Sequence, residues 1–297
     1  MATAAPAASR VPTYSLRTLK GHDRKPESGI IVSDGLLRRN STLVLGGPPK
    51  SFKSFGVDTI CCNLVTGQNL FGSFRAAHGR VTKAFAVAEP QRVLLFEQEV
   101  GEDDLEDRIL PMVSALPPEL QELALDNFFT HSLDHKLQID TIAGMEEIEK
   151  IVKEVQPTVV VFDPLIEFHT SDENSTQAMA KVLHNLDTLR WRNQFATILT
   201  HHEGKETQVP REGPNRLRGN SVLFGKGDSF LMMSVWNRQA LQVKVSFTVR
   251  RGKPIPSIYL QFDDNMQAQF LCWDTDPKKK EKIARLRSDG DDIFTIQ

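Results

Sequence analysis

Residues 42–54 read Thr42-Leu43-Val44-Leu45-Gly46-Gly47-Pro48-Pro49-Lys50-Ser51-Phe52-Lys53-Ser54. A short β-rich run enters a Gly- and Pro-rich turn, and a segment with Phe55, Ile60, Cys61 and Leu64 at helical spacing follows. Strand, loop and helix in that order make a phosphate cradle, because loop N–H groups and the positive end of the helix dipole converge on an anion. In such a loop, G-x-x-x-x-G-K-[ST], the lysine reaches the β- and γ-phosphates and the hydroxyl residue ligates Mg²⁺. Gly47, Lys53 and Ser54 hold the outer positions of that pattern, and Phe52 stands at its second glycine. The expected phosphate-binding set is Gly47, Pro48, Pro49, Lys50, Ser51, Phe52, Lys53, Ser54 and Phe55. Taken alone, the stretch also fits a plain turn before a Ser-capped helix. The segments around it decide between the two.

Outward from the loop, β-rich runs alternate with helical periodicities. Strands are expected at Thr42–Leu45, Arg92–Glu97, Asn127–His131, Thr158–Phe162, Ala196–Thr200 and Ser229–Val235. Several are nearly continuous in apolar residues, as strands buried on both faces of a parallel sheet are. A helix is expected from about Asn174 to Asn193, where Ala178, Met179, Val182, Leu183, Leu186 and Leu189 make one apolar face. Another spans Ile142 to Val155, and Pro157 suits its end. The alternation predicts an α/β fold, a mostly parallel twisted sheet flanked by helices, with ligands beyond the carboxyl ends of the strands. After Ser229 the pattern becomes antiparallel. Leu241–Arg250 and Ile255–Phe262 read as a hairpin through Arg251-Gly252-Lys253-Pro254, and Ala268–Trp273 as a further strand.

Polar residues at the strand ends give the sheet its chemistry. Val159-Val160-Val161-Phe162 ends in Asp163, placed to hold the water shell of Mg²⁺, although an Asp before Pro164 also suits a turn. The run Arg92–Phe96 leads into Glu97-Gln98-Glu99, so either carboxylate is a candidate to orient an attacking water; solvated charges before a helix at Asp103–Ala115 are the alternative, disfavoured by apolar Leu95 and Phe96 just before them, where the chain leaves the core. Ala196–Thr200 ends in His201-His202, a pair suited to sensing a terminal phosphate; no second Cys or His pair stands at zinc-ligand spacing. Glu203–Asn215 is polar and reads as a long loop. Arg216 and Arg218 follow it, and an arginine donated across a subunit boundary stabilises transition-state charge. Either one also fits a surface or capping residue.

The 297 residues amount to one large or two modest domains, with 40% apolar and 25% charged residues, which excludes collagen-like, coiled-coil and wholly disordered chains. A net charge of -2 gives no global basic field, though a local basic surface is compatible with it. Three cysteines, Cys61, Cys62 and Cys272, make no disulfide framework and are expected as small buried hydrophobes. No apolar run reaches the roughly 18 residues of a membrane span, and the N-terminal stretch lacks a secretory pattern, so a cytoplasmic location is expected. Residues 1–29 are expected as a flexible arm, 30–275 as the folded domain and 276–297 as a charged tail.

Gly47-Pro48-Pro49-Lys50-Ser51-Phe52-Lys53-Ser54, Phe96-Glu97-Gln98-Glu99, Val161-Phe162-Asp163-Pro164, Thr200-His201-His202 and Arg218-Gly219-Asn220-Ser221 together resemble the RecA-like ATPases of the RepA type. These are plasmid and phage hexameric replicative helicases, with related AAA-family prophage ATPases. The resemblance spans about residues 30 to 270. It implies a RecA-like sheet in which Lys53 and Ser54 bind ATP and Mg²⁺, Glu99 is the catalytic base with Glu97 as rival, and Asp163 is the Walker B acid. His202 or His201 would be the γ-phosphate sensor, and Arg218 the arginine finger for the neighbouring subunit. Phe52 departs from the usual glycine, and Val100 from an acidic residue after the base. The family implies a homo-oligomeric ring, expected to be hexameric, around single-stranded DNA. Loops at Phe168–Thr176 and Glu203–Arg216 would face its channel. Lys205, Arg211 and Arg216 are then the expected DNA phosphate contacts, and primase or initiator proteins the expected partners. A regulatory ATPase that switches a protein complex is the competing class.

Overall fold

The computed structural model describes residues 29–72, 74–75, 81–82, 85–132, 136–203 and 221–276; the N-terminal arm up to residue 28 and the tail from 277 lie outside it. Thirteen strands are described. They are β1 (Ile30–Val32), β2 (Leu37–Arg38), β3 (Thr42–Gly47), β4 (Phe74–Arg75), β5 (Val81–Thr82), β6 (Val93–Glu97), β7 (Phe128–His131), β8 (Val159–Asp163), β9 (Ala196–His202), β10 (Ser229–Asn237), β11 (Gln242–Val249), β12 (Ile258–Phe262) and β13 (Ala268–Trp273). The helices are α1 (Lys53–Thr66), α2 (Glu102–Ser114), α3 (Pro118–Asn127), α4 (Ile142–Val155), α5 (Thr176–Asn193) and α6 (Ser221–Lys226), with a 3₁₀ turn at Leu165–Phe168.

Nine strands form one sheet in the order β13-β12-β11-β10-β3-β9-β8-β6-β7. The six from β10 to β7 pair in parallel, and β10 to β13 pair antiparallel. The parallel strands read as continuous apolar runs because alternate residues feed two separate cores. Leu43, Leu45, Val93, Leu95, Val159, Val161 and Ile198 pack on the side of α1 and α2. Val44, Leu94, Phe96, Val160, Phe162 and Leu199 pack on the other side against α4 and α5.

Both helices expected from their periodicity form, and both pack on that second side. Thr141 caps α4, its hydroxyl accepting from the Gly144 amide at 3.1 Å, and Ser175 caps α5, accepting from the Ala178 amide at 3.3 Å. The α5 cap shifts its start to Thr176, because Asp172 accepts from the Asn174 amide and holds the two residues before Ser175 in a turn. Strand β12 begins at Ile258 rather than Ile255, since Pro254 and Pro256 have no N–H for the ladder. Helix α3 has too sparse an apolar stripe to mark it in the sequence; Ala124 is its one fully buried residue. All three cysteines are buried thiols. Among the described residues, no helix is long and apolar enough to cross a membrane.

Phe162 immediately precedes Asp163 and is fully buried, stacked on Phe96 at 5.3 Å and edge-on to Phe168 at 5.1 Å. Phe162→Ala is expected to cost about 3–5 kcal/mol in urea unfolding. A loss below about 1 kcal/mol would mean that this ring cluster does not support the strand end.

Candidate functional site

Strands β3, β6, β8 and β9 end on one edge of the sheet, and a cleft of about 820 Å³ opens there. Its floor is the loop between β3 and α1 with the first turn of that helix, from Pro49 to Phe55; Glu99 and Val100 follow β6, Asp163 ends β8 and Pro164 follows it, and Thr200 and His202 belong to β9. Register brings them together. Gly47 pairs with His202, and Glu97 with Asp163.

The loop is tightly built. A Cβ on Gly47 would stand 2.5 Å from the Met233 carbonyl oxygen and 2.8 Å from Ser51 Oγ, so a side chain there collides with the backbone of β10. Lys50 and Phe52 both take left-handed backbone, at φ 58° and 63°. The glycine of the loop pattern is therefore explained by conformation, and Phe52 adopts the same conformation at a cost of about 1–2 kcal/mol. Its ring offsets that cost by packing on Phe262 at 5.3 Å and lying under the Arg238 guanidinium at 5.6 Å. Arg238, on the turn after β10, also donates to the Lys50 carbonyl at 2.8 Å. Sequence reasoning missed Arg238, which lies far along the chain in no motif.

Lys53 is only 7% exposed, and its Nζ donates to the Pro48 carbonyl at 2.8 Å. Burial pulls its pKa below the ordinary lysine value, while Asp163, Glu99 and Glu203 pull it back up. Asp163 is 2% exposed; one carboxylate oxygen accepts from the Thr200 hydroxyl, and the buried Oδ2 has no hydrogen-bond partner among the described residues. Ser51 Oγ is likewise buried without a partner there. Ser51, Ser54 and Asp163 all line the cleft, and their oxygens are donors of the hard kind that Mg²⁺ takes.

The structure separates the paired candidates. Glu99 is exposed and lines the cleft, whereas Glu97 is buried and does not. Glu97 accepts from the Glu99 amide at 2.8 Å and from Arg108 at 2.8 Å. Burial and the charge of Asp163 push its pKa up to about 7, against the pull of Arg108. Arg108 also meets Asp58 of α1, Nε to Oδ2 at 2.6 Å; burial pushes Asp58 up to about 7 as well, again opposed by Arg108. His202 lines the cleft, while His201, one residue away in β9, faces the opposite side with its Nδ1 3.9 Å from Glu173 Oε1. Lys205, Arg211, Arg216 and Arg218 lie outside the described residues.

A glycine-started phosphate loop on the central strand β3, an acid at the tip of β8 with β9 between the two, and this strand order define a P-loop ATPase with a RecA-like sheet. A model of the AAA domain family matches residues 6–208, and the chain belongs to that family. No curated protein matches it in sequence. Among solved structures the fold is similar to that of an ATPase domain from another protein, with a TM-score of 0.56 over 86% of this chain and 94% of that one, at 12% identity.

The backbone at Phe52 yields a test. Phe52→Ala keeps the left-handed strain and loses the ring contacts, whereas Phe52→Gly loses the same contacts and relieves the strain. The glycine variant should be more stable than the alanine variant by about 1 kcal/mol in urea unfolding, the reverse of their order inside a helix. Equal stability, or alanine ahead, would mean that residue 52 is not held in that conformation.

Proposed function

We propose that this chain hydrolyses ATP with Mg²⁺ and couples the cycle to movement along, or unwinding of, single-stranded DNA as a ring-shaped, hexameric homo-oligomer. The observation that carries the hydrolytic part is the convergence of Lys53, Ser54, Asp163, Glu99 and His202 on one cleft. The loop amides and Lys53 hold the β- and γ-phosphates. Ser54 and Asp163 would hold Mg²⁺, which when bound neutralises charge on the phosphate oxygens. Glu99 accepts the proton of the attacking water, and His202 reads the terminal phosphate. Arg218 of a neighbouring subunit completes the site.

The DNA part is supported by the motif order and its resemblance to the replicative helicases of plasmids, phages and mobile elements. In this reading Lys205, Arg211 and Arg216 contact DNA phosphates, primase or initiator proteins supply priming and origin recognition, and the assembly works in the cytoplasm. One observation favours the second reading, a regulatory ATPase. The described loop after β8 carries Glu167, Asp172 and Glu173, and Asp140 ties it down by accepting from the Thr170 amide and hydroxyl and the Ser171 hydroxyl. An acidic, pinned loop is a poor DNA contact.

Steady-state ATP hydrolysis with and without single-stranded DNA, with Lys53→Ala as background, separates the two. A DNA motor predicts stimulation of several-fold or more in a ring-sized species; hydrolysis indifferent to DNA favours the regulatory ATPase. Glu99→Gln should bind ATP and lose about 10²-fold or more in turnover. Mixtures of Arg218→Ala with Glu99→Gln subunits should recover activity, and no recovery would count against a shared site.

A further inference from the structure

Asp58, Arg108 and Glu97 belong to three elements, α1, α2 and β6, and meet beneath the cleft. Arg108 Nε stands 2.6 Å from Asp58 Oδ2, and its Nη2 stands 2.8 Å from Glu97 Oε2 and 3.5 Å from Asp58 Oδ1. Both acids are almost wholly buried and the guanidinium nearly so, at 11% exposure. Glu97 turns its other oxygen, Oε1, to the backbone amide of Glu99. The chain of contacts therefore runs from the helix that begins at Lys53, through one planar cation, to the amide of the residue that faces the cleft.

A buried charge trio is a poor device for stability alone, since well-packed apolar residues in the same volume often do as well or better. It is a good device for fixing geometry, because a guanidinium offers donors in a rigid fork and holds two carboxylates at a set separation. We infer that Asp58, Arg108 and Glu97 form a positioning brace that fixes the Glu99 backbone relative to the phosphate-loop helix. Of the three, Arg108 alone lines the cleft, with its guanidinium turned to the two acids, while Asp58 and Glu97 do not line it. The inference rests on the reading of Glu99 as the base. Removing the brace should therefore lower turnover at saturating ATP while leaving nucleotide affinity in place.

Arg108→Lys tests this, because lysine keeps the charge and loses the fork. Turnover at saturating ATP should fall about tenfold to a hundredfold, the scale of a misplaced reacting group, with KM for ATP and Kd for a fluorescent ATP analogue within about threefold. Glu97→Ala should fall as far, and Glu97→Gln, which keeps an acceptor for the Glu99 amide, should lose about tenfold less than Glu97→Ala. Circular dichroism and urea unfolding accompany every variant. If Arg108→Lys does not fold, Asp58→Asn, which preserves shape, is held to the same criterion. Turnover within about twofold of the parent, or weaker nucleotide binding with turnover unchanged, would overturn the brace. So would Glu97→Gln as inactive as Glu99→Gln, because Glu97 would then act on the water itself. Glu99→Gln with normal turnover would sink the assignment of the base instead, whatever Arg108→Lys did.

Discussion

Parallel pairing in register gathers this site. The loop lysine, the strand-tip acid, the cleft-facing glutamate and the histidine lie far apart in sequence, and none touches another by local folding. They meet because β3, β9, β8 and β6 are adjacent and point the same way, so that Gly47 lies opposite His202 and Glu97 opposite Asp163. Such pairing depends in turn on helices covering both faces. The alternate residues of each strand feed the two cores, and a slip of one residue would move every chemical group to the wrong side.

The same alternation explains how much of the site was legible. Continuous apolar runs ending in Asp163, in Glu97 to Glu99 and in His201-His202 showed where the strands stop, and strands of a parallel sheet stop at the ligand edge. What the runs did not show was which member of each pair faces the cleft. That depends on the phase of the pleat and on where the strand ends. Strand β9 continues through His202, so His201 turns to the opposite face and His202 into the cleft. Arg238 and Arg108 carried no readable signal, because their partners lie on other elements: the Lys50 carbonyl and the Phe52 ring for Arg238, Asp58 and Glu97 for Arg108.

Phe52 joins local strain to distant packing. A left-handed residue in a phosphate loop normally calls for glycine, because only glycine lacks the Cβ that makes the conformation costly. Here the ring of Phe52 rests on Phe262 of β12 and under Arg238 from the β10 turn. The antiparallel extension, which supplies both contacts, is thereby coupled to the loop. The sheet edge that looks peripheral in topology helps set the loop conformation on which phosphate binding depends.

The charge balance of the cleft bears on what it can hold. Asp163, Glu99, Asp104 and Asp107 line it, with Glu97 and Asp58 buried behind, against Lys53, Lys50, Arg108 and Arg238. Arg108 is committed to Asp58 and Glu97, and Arg238 rests on the Lys50 carbonyl. A polyphosphate entering alone would meet the Asp163 and Glu99 carboxylates beside Lys53, and between partly buried groups such repulsion is weakly screened. Loop amides and Lys53 offset part of it. In the proposed reading Asp163 and Ser54 would hold a divalent cation, which when bound would supply positive charge against this repulsion, so the acidity of the cleft suits a metal-bound nucleotide better than a free one.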